Sequence, residues 1–215
     1  MTGMGAVSPN GIGRERFWRA SAEGVSGTGP ITLFDPGELP CRVAAEVRGF
    51  DVESHLPDKT RRYGLRVVAM ALAAAGEALE QSGIDPAGLT LDERRRFGVV
   101  AGTGAGGIAF GEDQYRAWFE DGYRKVSPYG IVATFVGMLS SEISMEYELR
   151  GMSHVVSTGC TSSSDAVGYA VQALRAGWVD RVLTGGAEAC ITPGIMSAFC
   201  RMGTMTTNVV DADRA

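Results

Sequence analysis

The sequence contains no uninterrupted apolar run approaching the roughly 18 residues that a membrane-spanning helix needs. Its opening, MTGMGAVSPNGIG, has no basic stretch followed by an apolar one, as a secretory leader would have. Positive charge is also scarce, because 20 Lys and Arg stand against 25 Asp and Glu, a formal net charge of -5. A chain of this charge has no electrostatic reason to bind nucleic acid. Together these features predict a cytoplasmic protein with neither a membrane nor a nucleic-acid partner.

Cysteine and histidine are few and scattered. No two cysteines form a C-x-x-C pair, which argues against a zinc knuckle and a dithiol redox motif. We therefore expect reduced thiols, no metal and no cofactor. The four cysteines are Cys41, Cys160, Cys190 and Cys200, and the two histidines are His55 and His154.

The pattern of glycines and apolar residues predicts an α/β fold. The 30 glycines are spread through the chain in short clusters, as tight turns between strands and helices require. Strand-like and helix-like segments alternate, which favours largely parallel pairing. The predicted strands are 42–47, 97–101, 153–157 and 180–184; the predicted helices are 14–22, 60–81, 110–120, 131–149, 161–176 and 193–202.

One thiol stands at a predicted turn between a strand and a long helix. The strand 153–157 leads into Thr158, Gly159 and Cys160, and the helix follows at once. At such a position the free N–H groups and the helix dipole favour a thiolate, and the same N–H groups can stabilise an oxyanion. A cysteine is more commonly a small buried hydrophobe, so the pattern alone leaves that alternative open.

Several motifs resemble those of the β-ketoacyl synthases, a family of the thiolase superfamily. TGCTS of residues 158–162, continued by DAVGYA of 165–170, resembles the active-site turn of the type II polyketide ketosynthases in particular. TGMGAVSPNG of residues 2–11, GTGAGG of 102–107, LRG of 149–151 and GGAE of 185–188 are similar to further family segments and occur in the same order. The resemblance covers essentially the whole chain.

The resemblance implies a thiolase-like fold, a layered α/β structure with a mixed sheet, of which residues 1–215 are the N-terminal domain. In that family the cysteine at the position of Cys160 accepts an acyl group from an acyl carrier protein. The acyl group then condenses with a malonyl unit, which loses carbon dioxide. The resemblance also implies a homodimer, or a heterodimer with a chain-length-factor subunit.

The resemblance further implies that this domain is incomplete by itself. Two histidines and a lysine of the family's C-terminal half support decarboxylation and condensation, and neither His55 nor His154 lies in a matching motif. Residues 211–215 occur where relatives continue into an Arg-Pro-Phe-Asp segment, so we expect a fragment that is inactive in condensation. The alternatives are a thiolase-like acyltransferase and a non-catalytic chain-length partner, which commonly carries glutamine in place of the cysteine.

The resemblance also suggests residues that bind the acyl chain. Ala105 lies where some relatives carry a bulky aliphatic gate, although a small residue there could simply permit close packing. Small side chains after Cys160 leave room for substrate, and apolar residues elsewhere could line the same pocket or belong to the core. The other candidates are Thr134, Phe135, Ser162, Phe199 and Met202.

Two further patterns carry weaker predictions. Gly102, Gly104 and Gly107 satisfy the G-x-G-x-x-G spacing of dinucleotide-binding folds, but the nearest acidic residues lie at a helix end and not after a second strand, so this reading fails. Clustered arginines could attract an acidic carrier protein or could form an ordinary solvated surface. These arginines are Arg61, Arg62, Arg66, Arg94, Arg95 and Arg96.

Overall fold

The computed structural model describes residues 1–58 and 60–207, so residues 211–215 lie outside the described part. The chain divides into two compact units. The first comprises Met1–Gly5 and Asp51–Ala189, and the second comprises Ala6–Phe50 and the segment that begins at Cys190.

The described residues form seven strands and eight α-helices. The strands are β1 Val7–Ser8, β2 Gly11–Ile12, β3 Thr28–Pro30, β4 Val43–Ala45, β5 Phe97–Gly102, β6 Ser153–Val156 and β7 Arg181–Gly186. The helices are α1 Arg14–Ala22, α2 Arg66–Ser82, α3 Leu91–Arg95, α4 Ile108–Asp121, α5 Gly130–Thr134, α6 Met138–Glu146, α7 Ser162–Arg175 and α8 Pro193–Arg201. Within this part of the chain, no helix is long and apolar enough to span a membrane.

A three-stranded sheet organises the first unit, with the strand order β6-β5-β7. Both pairs are parallel, as the sequence predicts, and they place Gly102 opposite Val156 on one side and Gly186 on the other. All six residues of β5 are buried, which explains why this strand has a continuous apolar run without alternation. Parallel pairing brings the carboxyl ends of the three strands to one edge of the sheet.

Helix α7 lies very close to the sheet because its buried stripe contains only small residues. The stripe consists of Ser162, Ala166, Ala170 and Ala173, and it packs on the sheet around Val100. A Cβ added at Gly102 would lie 2.4 Å from the Ser162 carbonyl oxygen, and one at Gly186 would lie 2.6 Å from the Ser163 side chain. The two glycines therefore permit the approach of strand ends and helix start.

Helices α2 and α6 pack together, and α6 also contacts β5 and β6. Helix α2 buries an apolar face and ends at Gly83 in the left-handed conformation, as predicted. The Tyr147 hydroxyl donates a 3.0 Å hydrogen bond to the Leu72 carbonyl, and the Tyr63 hydroxyl lies 2.6 Å from Glu142. Glu142 is only 3% exposed, so Tyr63 supplies a polar partner to a carboxyl group inside this layer.

Two predicted helices differ from the structure. The helix predicted over 60–81 begins only at Arg66, because Gly64 has a φ of 50° and Leu65 is extended. The helix predicted over 131–149 is two helices, α5 and α6, separated where Phe135 adopts an extended backbone. Helix α6 also ends at Glu146, before the predicted end at residue 149, since Glu148 has a φ of 50°.

The second unit contains two small antiparallel sheets, β1 with β2 and β3 with β4, together with α1 and α8. Its core includes Ile31, Cys41, Val43 and Met196. The buried Glu46 carboxylate accepts hydrogen bonds from the backbone and hydroxyl of Thr32 at 2.8 and 2.6 Å. These contacts fix the loop that follows β3.

Candidate active site

The thiol of Cys160 is exposed in a short 3-10 turn, Gly159–Thr161, between β6 and α7. Gly159 has a φ of 71°, a conformation that costs a residue with a Cβ about 1–2 kcal/mol. The strand therefore turns directly into the helix, and Cys160 stands at the helix N-terminus, as predicted from the sequence. The backbone N–H groups there make this a favourable place for a nucleophile and a developing oxyanion.

Side chains on both sides of Cys160 are tied together by hydrogen bonds. Asp165, in the first turn of α7, accepts hydrogen bonds from the hydroxyls of Thr158 and Thr161. These hydrogen bonds, of which the one from Thr158 has the largest effect, hold the pKa of Asp165 below its ordinary value. The Ser162 hydroxyl accepts from the Thr158 N–H at 3.0 Å and donates to the Gly159 carbonyl at 2.6 Å.

The glycine loop, residues 102–107, is held beside this turn by Glu188. The Glu188 carboxylate accepts the N–H groups of Gly104 at 2.8 Å and Ala105 at 3.1 Å, and the Thr103 hydroxyl at 3.1 Å. A Cβ added at Gly104 would lie 3.4 Å from the Gly159 carbonyl oxygen. The glycine loop therefore contacts both the turn that carries Cys160 and Glu188.

The same loop contacts the break between α5 and α6. A Cβ at Gly106 would lie 2.9 Å from the Val136 Cα, and one at Gly107 would lie 1.8 Å from the Ala133 carbonyl oxygen. Thr134 donates its hydroxyl to the Gly130 carbonyl at 2.6 Å, and Phe135 is 66% exposed. The glycine loop, which contains Ala105, thus lies beside the turn that carries Cys160 and beside the segment that contains Thr134 and Phe135.

The other candidate residues are placed differently. Ser162 is 3% exposed, and its hydroxyl forms hydrogen bonds inside the turn. Its role in substrate binding stays a prediction. Phe199 and Met202 belong to the second unit, where they are 39% and 68% exposed, and their place in the acyl pocket stays a prediction.

Neither histidine lies in the turn that carries Cys160, Gly159–Thr161. His154 is exposed on β6, and its Nδ1 lies 3.4 Å from the Tyr169 hydroxyl, consistent with the predicted hydrogen-bonded structural residue. His55 is exposed at the end of the 3-10 turn Glu53–His55. Among residues 1–58 and 60–207, no three His, Cys, Asp or Glu side chains are grouped as a metal site would require.

The glycine loop is poorly suited to bind a dinucleotide phosphate. Two N–H groups of the loop, from Gly104 and Ala105, already donate to the Glu188 carboxylate. A phosphate would have to displace that carboxylate against its negative charge. The spacing of these glycines instead reflects the close packing of the loop against its neighbours.

Most of the candidate docking arginines have partners within the chain. Arg94 pairs with Glu148, Arg95 with Asp92 and Arg96 with Asp180. Arg61 pairs with Asp58 at 3.0 Å, and Arg62 donates to the Tyr129 hydroxyl at 3.1 Å. The four ion pairs offset much of the positive charge of these arginines. This weakens the hypothesis that they attract an acidic carrier protein.

Sequence reasoning missed the roles of Asp165 and Glu188. Both fall within the quoted motifs, but their partners are hydroxyl and N–H groups that no periodicity reveals. A cue was available for Asp165, since Thr158, Thr161 and Asp165 lie three and four residues apart around a helix start. Glu188 joins residues 83–85 positions away, so only the fold identifies its partners.

An exposed cysteine lies between a strand and a helix at the carboxyl edge of a parallel sheet, and comparison with known proteins gives the family. The chain belongs to the β-ketoacyl synthase family, since the family model "Beta-ketoacyl synthase, N-terminal domain" matches residues 1–215. Its fold is thiolase-like, as the resemblance implied.

Three similar proteins illustrate the relationship. The tetracenomycin polyketide synthase ketoacyl synthase beta subunit of Streptomyces glaucescens is 37% identical over 193 residues, 90% of this chain and 46% of the relative. The 3-oxoacyl-[acyl-carrier-protein] synthase 2 of Coxiella burnetii is 33% identical, with 100% of this chain and 51% of the relative covered. The solved structure of the ishigamide ketosynthase/chain length factor superposes with a TM-score of 0.81 and 30% identity, over 96% of this chain and 51% of that one. The chain therefore spans about half the length of the relatives it matches.

Proposed function

We propose that this chain carries the nucleophile of a β-ketoacyl-acyl carrier protein synthase, an acyltransferase of polyketide or fatty-acid biosynthesis, with Cys160 as the acyl acceptor. The observation that carries this proposal is the exposed thiol at the junction of β6 and α7. Family membership and the Thr158–Ser162 motif support it. The chain is proposed to be the N-terminal domain of a larger enzyme.

In the proposed first step, the Cys160 thiolate attacks the thioester carbonyl of an acyl carrier protein. The carbon–sulfur bond to Cys160 forms, the bond to the carrier thiol breaks, and the carrier sulfur gains the proton that Cys160 lost. N–H groups at the start of α7 are available to stabilise the tetrahedral oxyanion.

In the second step, a malonyl thioester loses carbon dioxide. The electron pair of the broken carbon–carbon bond attacks the acyl carbonyl, and the Cys160 sulfur leaves as a thiolate, which takes a proton from solvent water. The product is a β-ketoacyl thioester on the carrier. Neither histidine lies in the turn that carries Cys160, so we assign decarboxylation to none of the side chains in residues 1–58 and 60–207.

Ala105, Thr134 and Phe135 are proposed to line the acyl-binding pocket. Ala105 belongs to the glycine loop and has only a methyl group there, Thr134 lies beside Gly107, and Phe135 follows Thr134 in the chain. Phe199 and Met202 are retained as pocket candidates on the sequence resemblance alone.

We also propose a dimer, formed with a second copy or with a chain-length-factor subunit. The exposed side chains of Ile131, Val132 and Phe135 support an apolar interface, and β6 has an unpaired edge within the described sheet. An acyl carrier protein as partner and a cytoplasmic location complete the proposal.

Acyl loading tests this function. The protein is incubated with the N-acetylcysteamine thioester of hexanoic acid, and the mass of each cysteine-containing peptide is measured. We expect a hexanoyl group on Cys160, no loading in Cys160→Ala, and unchanged loading in the control Cys200→Ala. Loading of another cysteine, or none on Cys160, would contradict the proposal.

A second candidate function is a non-catalytic chain-length partner. It is favoured by the 37% identity to a protein named a ketoacyl synthase beta subunit. Cys160 argues against it, since a partner of that kind does not need the nucleophile. If Cys160→Ala in the full-length protein left product formation intact, this second function would replace the first.

A further inference from the structure

We infer that Asp165 is a positioning residue for the nucleophile, because it ties together the residues on both sides of Cys160. This inference deepens the proposed function and rests on it. Asp165 lies in the first turn of α7, five positions after Cys160. Its carboxylate is therefore fixed to the helix while its partners lie in the turn.

The turn has few other restraints among the described residues. Strand β6 ends at Val156 and α7 begins at Ser162, so residues 157–161 lie between regular elements. All five residues are exposed, and Gly159 has open space around the position of a Cβ. A segment with so few packing contacts depends on its hydrogen bonds for a single conformation.

Asp165 provides the hydrogen-bond acceptor that joins the two ends of this segment. The Oδ2 atom receives the hydroxyl of Thr158, two residues before Cys160, and that of Thr161, one residue after it. Both bonds have an ionised acceptor, which makes them stronger than bonds between neutral groups. Ser162 adds a second link, between the Thr158 N–H and the Gly159 carbonyl.

The arrangement also commits the protons of both threonine hydroxyls to Asp165. A hydroxyl has one proton, and that of Thr161 has its shortest acceptor contact, 2.8 Å, with Asp165. Thr161 is therefore unavailable as a donor to the Cys160 sulfur. Asp165 holds the turn in place and leaves the sulfur for the substrate.

Hydrogen exchange of the turn and acyl loading of Cys160 test the inference together. In Asp165→Asn, we expect amide exchange in the peptide covering residues 157–163 to accelerate at least tenfold. Hexanoyl transfer from the N-acetylcysteamine thioester should fall about tenfold, while alkylation of Cys160 by iodoacetamide changes less than twofold. Unchanged alkylation shows that the thiol stays accessible and reactive, and an unchanged midpoint of thermal unfolding separates misplacement of the thiol from unfolding.

Threonine variants connect the effect to the carboxylate. Thr161→Val removes one hydrogen-bond donor without changing the charge, and we expect acyl loading of Cys160 to fall about tenfold. Thr161→Ser keeps the hydroxyl donor, so its loading should match that of the unsubstituted protein. The double variant Asp165→Asn/Thr161→Val should lose no more loading than Asp165→Asn alone, because Thr161→Val removes an interaction that Asp165→Asn has already weakened. Asp113→Asn, which alters an exposed carboxylate on α4, serves as the control.

The outcomes separate the two claims. Unchanged hydrogen exchange in Asp165→Asn, or losses that multiply in the double variant, would overturn the positioning role. Absence of loading in the unsubstituted protein, with faster exchange in Asp165→Asn, would reject the acyl-transfer function and keep the structural role of Asp165.

Discussion

At the scale of single residues, Ala105 is the side chain from which a selectivity change is expected. Its N–H is fixed by Glu188, and the loop that carries it contacts both the Cys160 turn and the start of the α5–α6 break. A larger side chain at this position would therefore occupy space close to the nucleophile.

We predict that Ala105→Ile shortens the acyl chains that Cys160 accepts. Loading of a dodecanoyl thioester should fall about tenfold or more relative to an acetyl thioester, since steric exclusion from an apolar pocket has effects of that order. Competition between the two thioesters measures the ratio, with Ala105→Ser as a control of similar size. An unchanged ratio would assign Ala105 to packing alone.

Glu142 gives a residue-scale prediction about pH. Burial raises the pKa of this carboxyl group, and the hydrogen bond from Tyr63 offsets part of the increase. The folded state thus binds the proton more tightly than the unfolded state, so this contribution to stability is full below the ordinary value of 4.5 and is lost as pH rises through the raised pKa.

The variant Glu142→Gln should remove this dependence. We expect the free energy of unfolding of this variant, relative to that of the original protein, to increase as pH rises above about 4.5, the ordinary pKa of a glutamate carboxyl group, and then to level off. Urea midpoints measured from pH 4.5 to 8 provide the comparison. Parallel midpoint curves for Glu142→Gln and the original protein would refute the raised pKa of Glu142.

The variant Tyr63→Phe should lower the free energy of unfolding by about 1–3 kcal/mol at neutral pH, because the buried Glu142 carboxylate loses its hydrogen-bond donor.

At the scale of elements, the distance between β5 and α7 depends on glycine. A Cβ at Gly102 would lie 2.4 Å from the Ser162 carbonyl oxygen, and backbone atoms cannot rotate away as a side chain can. We predict that Gly102→Ala destabilises the first unit by about 1–3 kcal/mol, as overpacking does. Loading of Cys160 should decrease in the same variant.

Gly168 offers the matched control on the same helix. It lies within α7 with nothing within 4 Å of its Cβ position. Gly168→Ala should therefore stabilise the 215-residue chain by about 0.5–1 kcal/mol, the difference between the two residues inside a helix. Thermal unfolding distinguishes the variants, and equal effects of the two substitutions would contradict the packing argument.

The elements also show which parts of the structure the sequence can predict. Strand β5 and helices α1 and α7 were predicted within a few residues, because a continuous apolar run, helical periodicity and a glycine stop are local signals. The break at Phe135 was missed, because the residues around it have helical spacing and it coincides with the contact between Gly106 and Val136. Cys160 was found from its local turn, whereas Glu188 depends on contacts across the fold.

At the scale of the whole molecule, the first unit contains a large open cleft. The cleft has a volume of about 660 Å³ and extends from the N-terminal residues along α2, α7 and β7. Exposed apolar side chains of α7, including Val167, Val171 and Leu174, line it. Apolar surface of this kind favours association.

We predict that residues 1–215 expressed alone self-associate at micromolar concentration and do not catalyse condensation. Sedimentation velocity and the fluorescence of an apolar dye would detect the association, and release of carbon dioxide from a malonyl thioester would detect turnover. A monomeric, turnover-competent protein of this length would contradict both expectations. The double substitution Val167→Lys/Val171→Lys should reduce the association if the cleft causes it.

The position of β5 in the sheet has a consequence for biosynthesis. Both of its partner strands follow it in the chain, and the nearer one, β6, begins 51 residues after β5 ends (153 − 102 = 51). At ribosomal elongation rates of about 5–20 residues per second, that interval lasts roughly 3–10 s. During this time a wholly apolar strand has been translated without a partner, which makes nascent β5 a natural binding site for chaperones that shield hydrophobic segments.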